Sequence, residues 1–343
     1  MIDLLDAPGL EALRKRWNLD PHELRRFRRR MLKDFAGPAA ALESLPERAR
    51  GAFEAEVRLR HLTQVDRRDS SQDGSSKLLY ETSDGLRIES VILRIASGRT
   101  TLCVSSQVGC AVGCDFCATG ALGLKRNLSA AEILEQLLQA GELLRAEGRR
   151  VRNIVYMGMG EPLHNEEGVY RSLEELSHPN GCDHSLARVT LSSVGIPAAM
   201  LRCVKRFPKL RFALSLHTAR QEARDALIPF GSRFDVAELR AASLELTRFQ
   251  EQSLMIEYVM LAGLTDTPED LQALLGFVED MPVMINLLPF NALPADAGKG
   301  LKPSSAQRIQ SFAQSLKQAG LHTTIRHSLG GDSAAACGQL AGS

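Results

Sequence analysis

Three cysteines stand close together near the end of the first third of the chain. Cys110, Cys114 and Cys117 are separated by three and then by two residues. Gly109 and Gly113 allow the loop that carries them to turn tightly around a bulky ligand. Thiolates are the protein ligands of iron–sulfur clusters. Three thiolates leave one iron of a four-iron cluster without a protein ligand, much as a catalytic metal keeps a position open for substrate. The spacing therefore predicts a [4Fe–4S] cluster with one open iron.

The rest of the cysteine pattern bears on this prediction. The chain has seven cysteines, an odd number, and three of them in one loop suit metal binding in a reducing compartment better than a disulfide framework. A zinc site completed by a histidine or a distant cysteine is one alternative, and three buried, inert thiols are another. Zinc sites of this kind usually carry two paired CxxC units. No second pair occurs here, so the cluster is favoured.

Further polar residues stand where predicted strands end. The active sites of strand–helix barrels gather at the carboxyl ends of the strands. These residues are therefore candidates for contacts to a molecule bound at the cluster. In chain order they are Gly160 and Glu161 in a glycine-bounded turn, Ser192, the run Ser215, Leu216 and His217, and Asn291.

The elements that must position these residues alternate along the chain. Apolar runs predict strands at 101–106, 153–157, 188–192, 211–216, 254–260 and 284–288, and helical patterns lie between them. The clearest helix spans 129–147, where Ser129 and Glu132 form a capping box. Six strand–helix units in succession predict an α/β fold with a parallel sheet, either doubly wound or curved into a barrel.

The first part of the chain differs from this core. Residues 1–69 show helical spacing, the run 66–76 has linker composition, and strands are predicted at 77–82 and 88–96. Residues 14–33 hold nine Lys and Arg against two acids. A helix there would place its cations opposite an apolar face, which predicts contacts to the phosphates of a polyanionic partner, with a solvated basic face as the alternative. The cations are Arg25, Arg26, Arg28, Arg29, Arg30 and Lys33, and Lys125 and Arg126 after the cysteine loop extend the prediction.

The cysteine motif, with its aromatic residue before the last cysteine, resembles the radical S-adenosylmethionine (SAM) superfamily. The wider motifs resemble its RlmN/Cfr branch of RNA adenine methyltransferases, from about Leu78 to the C-terminus. They are TLCVSSQVGCAVGCDFCATG, GLKRNLSAAEI, YMGMGEP, VTLSSVG, SLHT, INLLPFN and AACGQLAG. The resemblance implies a partial (β/α)6 radical SAM barrel over 101–343, a linker and strand extension over 70–100, and a small helical accessory domain over 1–69.

The resemblance also implies roles for single residues. Cys110, Cys114 and Cys117 would bind the cluster, and Cys337, Cys103 and Glu89 would be catalytic. Cys337 would accept a methyl group from one SAM and become S-methylcysteine. The remaining residues would contact SAM, the first two of them at its amino group: Gly160, Glu161, Ser192, Ser215, Leu216, His217 and Asn291.

In the implied reaction a second SAM gives a 5′-deoxyadenosyl radical, which takes hydrogen from the methyl group on Cys337. The resulting carbon radical adds to an adenine ring carbon, which is too electrophilic to attack SAM directly. Glu89 would remove the ring proton, and Cys103 would release the product by attacking the sulfur of Cys337. This pathway implies a Cys103–Cys337 disulfide and low-potential electrons from a flavodoxin or ferredoxin.

The resemblance implies methylation at C2 of an adenosine in ribosomal RNA, with a tRNA anticodon loop as a further substrate. Methylation at C8 is the alternative, because both activities share these motifs. Another radical SAM reaction, or a non-catalytic metal-stabilised RNA-binding module, is a more distant reading. The sequence has no apolar run of membrane-spanning length and no secretory leader, so we expect a cytoplasmic monomer.

Overall fold

The structure is a computed structural model and describes residues 1–95, 97–293, 300–326 and 329–342. The strands in these ranges are β1 (Ile2–Asp3), β2 (Val57–Arg58), β3 (Leu62–Asp69), β4 (Ser75–Thr82), β5 (Arg87–Arg94), β6 (Thr100–Val104), β7 (Gln107–Val108), β8 (Arg126–Asn127), β9 (Asn153–Tyr156), β10 (Val189–Ser193), β11 (Arg211–Ser215), β12 (Leu254–Met260), β13 (Val283–Pro289) and β14 (His322–Ile325). The α-helices are α1 (Ala7–Arg16), α2 (Pro21–Leu32), α3 (Pro38–Leu42), α4 (Glu47–Glu56), α5 (Ala118–Ala121), α6 (Ala130–Ala146), α7 (Glu166–Ser177), α8 (Pro197–Arg206), α9 (Gln221–Leu227), α10 (Val236–Leu246), α11 (Pro268–Val278) and α12 (Ala306–Gln318).

Ten strands form one sheet in the order β14-β13-β12-β11-β10-β9-β6-β5-β4-β3. From β6 to β14 all neighbours are parallel, and helices cross over between most of them. β3 to β6 are antiparallel. The parallel part confirms the predicted α/β radical SAM fold, and it contains β14 as a seventh strand beyond the six that the sequence indicated.

The helix α6 shows how local sequence builds these units. The Ser129 hydroxyl accepts from the Glu132 backbone N–H, and the Glu132 carboxylate accepts from the Ser129 N–H. This capping box confirms the predicted start of the helix and satisfies two backbone donors at its first turn. The apolar residues of the helix face the core. Among them, Ile133, Leu137 and Leu144 are 1%, 2% and 0% exposed, respectively. Their burial fixes α6 against the sheet.

The N-terminal helices pack on the same core. Phe27 of α2 meets Phe53 of α4 edge to face, with ring centroids 5.4 Å apart. Arg28 joins α2 to α7 through an ion pair of 2.8 Å with Glu175. Arg60 binds Glu135 of α6. Buried residues of these helices and of the sheet form one continuous hydrophobic cluster.

Two segments differ from the prediction at the start of the chain. Residues 62–69 form β3 rather than the end of a helical domain, and β3 pairs with β4 through seven residue pairs. The helices therefore end at Glu56, and most of the predicted linker lies in β3 and the turn that follows it. The division of the chain into domains stays a prediction. No helix in the described ranges is long and apolar enough to cross a membrane.

Candidate active site

A cavity of about 730 Å³ lies on the inner face of the curved sheet. Alternate residues of the strands line it, such as Thr101 and Cys103 of β6 or Asn286 and Leu288 of β13. Alternation is expected because successive side chains of a strand point to opposite faces. The cavity extends from the first residues of the parallel strands to the loops after their carboxyl ends, so one continuous space connects the two ends of the barrel.

The cysteine loop forms one wall of this cavity. Cys110, Cys114 and Cys117 all line it, and all three are half-buried. Gly109 shapes the loop: its φ is 74°, and a Cβ at this position would lie 1.8 Å from the carbonyl oxygen of Gly123. Only glycine fits such a close approach of two backbone segments. The local sequence thus brings the three thiols to the cavity, as the spacing predicted.

The donor set fits an iron–sulfur cluster. Burial raises the pKa of Cys110 to about 12 and raises that of Cys114 as well. Thiols in such a place are neutral unless a cation binds them, and iron ligation deprotonates them. Among the described residues, no group of three His, Cys, Asp or Glu side chains is arranged to hold a single metal ion. Three thiols on the wall of an open cavity suit a larger cluster.

A buried arginine lies close to the cysteine loop. Arg224 is 1% exposed, and its guanidinium donates to the carbonyl oxygens of Leu216 and Val194. Burial lowers the pKa of Arg224 to about 10, and its positive charge acts on Cys114. Arg224 therefore ties together the segments after β10 and β11 and places a cation beside one predicted cluster ligand.

The turn after β9 holds a carboxylate at the cavity. Glu161 is 4% exposed, and its two oxygens accept from the backbone N–H groups of Leu163 (2.9 Å) and Val194 (2.8 Å). Burial raises the pKa of Glu161, and these amides lower it in part. Gln107 accepts from the Glu161 N–H at 2.8 Å. The turn is thus fixed by hydrogen bonds on both sides.

Gly160 gives a first test of this turn. Its φ is 99°, and a Cβ would lie 2.5 Å from the Cβ of Gln107. We expect Gly160→Ala to displace the turn and to weaken SAM binding at least about tenfold, with a loss of about 1–3 kcal/mol of stability from the strained backbone. Equilibrium dialysis with SAM measures the first effect. Gly276→Ala is the control, because a Cβ at that position meets nothing within 4 Å. Unchanged SAM affinity in Gly160→Ala would remove Gly160 from the binding site.

The next strand ends place most of the other predicted residues at the cavity. Ser192 and Ser215 line it, and their hydroxyl oxygens lie 2.9 Å apart. His217 also lines it: its Nδ1 accepts from the Val259 N–H, and burial lowers the pKa of His217 to about 3. His217 is therefore neutral, and because its Nδ1 accepts, the ring proton is on Nε2. Leu216 differs, since its side chain is fully buried and does not line the cavity.

Two further cysteines face the same space. Cys103 of β6 and Cys337 of the C-terminal segment both line the cavity. Burial raises the pKa of Cys103 to about 12, the charge of Cys337 adds to this, and Arg326 lowers it. Desolvation by the surrounding protein raises the pKa of Cys337, whereas the positive charge of Arg326 lowers it. All seven cysteines are free thiols here, so the implied disulfide is not seen.

The C-terminal segment lies across the carboxyl ends of the strands. The Ala118 N–H donates to the carbonyl oxygen of Gly338 at 2.7 Å, and the Thr119 hydroxyl donates to that of Leu340 at 2.6 Å. Asn291, predicted to contact SAM, lines the cavity and donates from Nδ2 to the carbonyl oxygen of Cys337 at 3.0 Å. Backbone groups therefore anchor this segment directly to the cysteine loop.

Glu89 lies behind this segment rather than in the cavity. It is fully buried, pairs with Lys77 Nζ at 2.9 Å, and accepts from the Ala341 N–H at 2.9 Å. Its side chain does not line the cavity. In the structure Glu89 therefore holds the C-terminal segment in place, and it would have to change partners to take a proton from a bound base.

Sequence reasoning missed several charged residues of the cavity, among them Glu257 and Arg326. Glu257 of β12 is 2% exposed; Oε2 accepts from Asn286 at 2.8 Å, whereas Oε1 has no hydrogen-bond partner among the described residues. Burial raises the pKa of Glu257, and Arg326 lowers it in part. Arg326 follows β14 and contacts the Met157 sulfur at 3.7 Å. A carboxylate inside the apolar strand LMIEYVM was the available signal for Glu257.

The predicted basic residues are only partly available to a polyanion. Helix α2 buries its apolar face as expected, but Arg28 pairs with Glu175, Lys33 with Asp183 and Arg29 with Asp34. Arg126 pairs with both Asp84 and Glu132, and a role for Lys125 and Arg126 in guiding a substrate to the site stays a prediction. Arg25 and Arg26 stay exposed without an ion pair among the described residues.

The chain is similar to proteins of known name over nearly all of its length. Residues 104–278 match the radical SAM superfamily. The chain is 48% identical to a probable RNA methyltransferase of Rhodopirellula baltica, over 99% of this chain and 87% of the relative. It is 40% identical to the dual-specificity RNA methyltransferase RlmN of Syntrophobacter fumaroxidans, over 83% of each chain. The crystal structure of a radical SAM methyltransferase from Sphaerobacter thermophilus matches all of both chains at 33% identity, with a TM-score of 0.93.

Proposed function

The chain belongs to the RlmN/Cfr family of radical SAM methyltransferases, and we propose that it methylates C2 of an adenosine in ribosomal RNA and in tRNA. Its enzyme class is that of a SAM-dependent RNA methyltransferase. The observation that carries the proposal is the presence of Cys103 and Cys337 in the same cavity as the three cysteines of the loop. A radical SAM reaction that only activates another protein has no need for this second pair of thiols.

In the proposal each group of residues has a separate task. Cys110, Cys114 and Cys117 hold the [4Fe–4S] cluster, which when bound supplies the electron that cleaves SAM to a 5′-deoxyadenosyl radical. The turn at Gly160 and Glu161 offers a carboxylate, held by backbone amides, to the amino group of SAM. The remaining SAM contacts are Ser192, Ser215, His217 and Asn291, with Leu216 contributing backbone atoms alone.

Cys337 accepts the methyl group in this scheme. Its thiolate attacks the methyl carbon of SAM, the carbon–sulfur bond of SAM breaks, and S-adenosylhomocysteine leaves. Arg326 favours the thiolate, since its charge lowers the pKa of Cys337. A second SAM then binds, so each turnover uses two. Cys103, in the same cavity, attacks the sulfur of Cys337 once the methylene carbon has joined the base. A Cys103–Cys337 disulfide forms, the bond between the Cys337 sulfur and that carbon breaks, and the carbon takes up a proton to become the methyl group of the released product.

The base role of Glu89 stays a prediction. A proton acceptor at the substrate must reach the base, and the carboxylate of Glu89 is engaged by Lys77 and by the Ala341 N–H. We further propose that the enzyme acts as a monomer in the cytoplasm and that a flavodoxin or ferredoxin supplies its electrons. These three points rest on the resemblance and on the needs of the cluster.

Nucleoside mass spectrometry of RNA tests the proposed function. We expect 2-methyladenosine in ribosomal RNA and tRNA from cells with the gene, and its loss when the gene is deleted. The purified enzyme, reconstituted anaerobically with iron and sulfide and supplied with reductant, should restore the nucleoside to RNA from the deletion strain. The appearance of 8-methyladenosine instead would select the C8 activity. Tight zinc binding with no SAM-dependent 5′-deoxyadenosine would contradict the enzyme proposal as a whole.

A further inference from the structure

Four arginines line the cavity at the end opposite the cysteine loop. Arg99 and Arg152 stand one residue before β6 and β9, Arg188 directly precedes β10, and Arg211 is the first residue of β11. Arg99, Arg152 and Arg188 are exposed, and Arg211 is half-buried. We call these four residues the arginine rim. Four neighbouring strands in the sheet thus begin with a cation at one opening of the cavity.

The charges of the arginine rim are not compensated. Among the described residues, no carboxylate lies within ion-pair distance of any of the four. Arg99 donates to the Ser97 hydroxyl at 3.1 Å, and Arg211 donates to the neutral Gln252 side chain. By contrast, Arg94 lies nearby in the chain and binds the Glu147 carboxylate with two nitrogens. Four neighbouring cations without counter-charges favour an anionic partner at this opening.

The C-terminal segment stands at the opposite end of the cavity. The C-terminal segment crosses the carboxyl ends of the strands and is hydrogen-bonded to residues 118 and 119 beside the cysteine loop. Asn291 holds the same segment from the other side. A polyanion that approached Cys337 from that end would have to displace these contacts. The exposed arginine rim offers a route that leaves the segment in place.

The dimensions agree with entry of a single nucleotide. Ser215 lies four positions after Arg211 along β11, which corresponds to about 13 Å at the rise of a strand. This depth is on the scale of a nucleotide turned out of its stack, with its phosphate at the opening and its base inside. Enzymes that modify a base take it out of the stack in this way.

We propose that the arginine rim binds the RNA phosphates on both sides of the target nucleotide, and that the base enters the cavity from the amino ends of the strands. This inference rests on the proposed function, because it takes RNA as the substrate. It locates the entry of the RNA at the bottom of the barrel and assigns the phosphate contacts to residues that lie outside helix α2. Because phosphate contacts carry no sequence information, the rim would position the RNA rather than select the adenosine.

The test compares two triple variants in the full-length, reconstituted enzyme. The rim variant carries Arg99→Gln, Arg152→Gln and Arg188→Gln. The control carries Arg145→Gln, Arg171→Gln and Arg248→Gln, which removes the same charge from three exposed arginines that do not line the cavity. The probe is ribosomal RNA from cells that lack the gene, and its Kd is measured against salt concentration. None of the six arginines has an ion pair among the described residues, so both variants should fold, which thermal unfolding checks.

We expect the rim variant to bind this RNA at least about tenfold more weakly at low salt. Its slope of log K against log salt should fall by about 2 to 3, since each lost phosphate contact removes about 0.7 to 0.9. KM for RNA should rise, whereas reductive cleavage of SAM without RNA should be unchanged. The control should retain both the wild-type affinity and the wild-type slope.

The outcomes separate the two proposals. If the wild-type enzyme methylates this RNA but the rim variant keeps the wild-type salt slope and KM, the proposal that the arginine rim binds RNA is overturned. The proposed function then stands. If both triple variants lose affinity equally, the effect is one of net charge, and the rim is likewise overturned. If the wild-type enzyme cleaves SAM but methylates no RNA, the proposed function itself fails.

Discussion

Replacing Cys337 with alanine is expected to reduce methyl transfer to RNA by at least about a thousandfold, because Cys337 is the thiol that accepts the methyl group in the proposed scheme. The variant should still fold and bind the cluster. The C-terminal segment is held by the backbone carbonyls of Cys337, Gly338 and Leu340, and none of these contacts uses the Cys337 sulfur. The loss should therefore be chemical rather than structural, and methylated nucleosides in RNA measure it directly.

A SAM substrate with a deuterated methyl group sharpens this test. In the wild-type enzyme the 5′-deoxyadenosine product should carry deuterium taken from the methyl group on Cys337, whereas any 5′-deoxyadenosine from Cys337→Ala should carry none. Cys203→Ala is the matched control, because Cys203 is a fully buried thiol on α8 that does not line the cavity. RNA methylation by Cys337→Ala at the wild-type rate would remove the methylcysteine pathway.

The parts of the fold that the sequence predicted are those built by local patterns. Helix α6 carries both its apolar stripe and its capping box within one segment, and both appear in the structure. Strand β3 was missed because its sequence LTQVDRRD has no apolar alternation, and most of its residues are exposed. Pairing with β4 makes it a strand, and such tertiary pairing outweighs local propensity. The short strand β14 likewise forms by pairing with β13.

In the candidate site, too, the features that local sequence patterns encode were predicted, and those that depend on distant segments were not. The three cysteines of the loop lie within a few residues of one another, so their spacing alone predicted a shared ligand. The partners of Glu89 and Glu257 come from other segments: Lys77 and Ala341 bind the first, and Asn286 binds the second. No local pattern reveals such partners. The resemblance gave a role to Glu89 but did not show that its side chain lies outside the cavity.

The arginine rim is another feature that no local pattern reveals. Its four residues are spread over more than a hundred positions, and they meet only because parallel strands begin at the same edge of the sheet. The basic run of α2 is obvious in the sequence, yet half of its six cations pair with carboxylates in the structure. Charge density along the chain therefore does not by itself predict where cations without a carboxylate partner lie in the described part of the folded protein.

Replacing Cys103 with alanine is expected to arrest the enzyme after the methyl carbon has joined the base, with protein and RNA covalently linked through Cys337. Cys103 lines the cavity with Cys337, and the charge of Cys337 raises the pKa of Cys103. Without Cys103, no second thiolate attacks the sulfur of Cys337, and the carbon–sulfur bond to the RNA persists. Denaturing electrophoresis should show a protein band of reduced mobility, and RNase digestion should return this band close to the position of the free enzyme.

The double variant Cys103→Ala with Cys337→Ala is the decisive control for this step. It should give no adduct, because the link requires the Cys337 sulfur, and so it separates a true covalent intermediate from RNA that is merely tightly bound. Arg326 adds a kinetic expectation, since its charge lowers the pKa of Cys103. In a single turnover that starts from enzyme already methylated at Cys337, Arg326→Met should slow release of the product and let a transient adduct accumulate, because less of the Cys103 thiol is ionised. Turnover by Cys103→Ala without any adduct would show that release does not depend on this cysteine, and the cavity would then need another nucleophile.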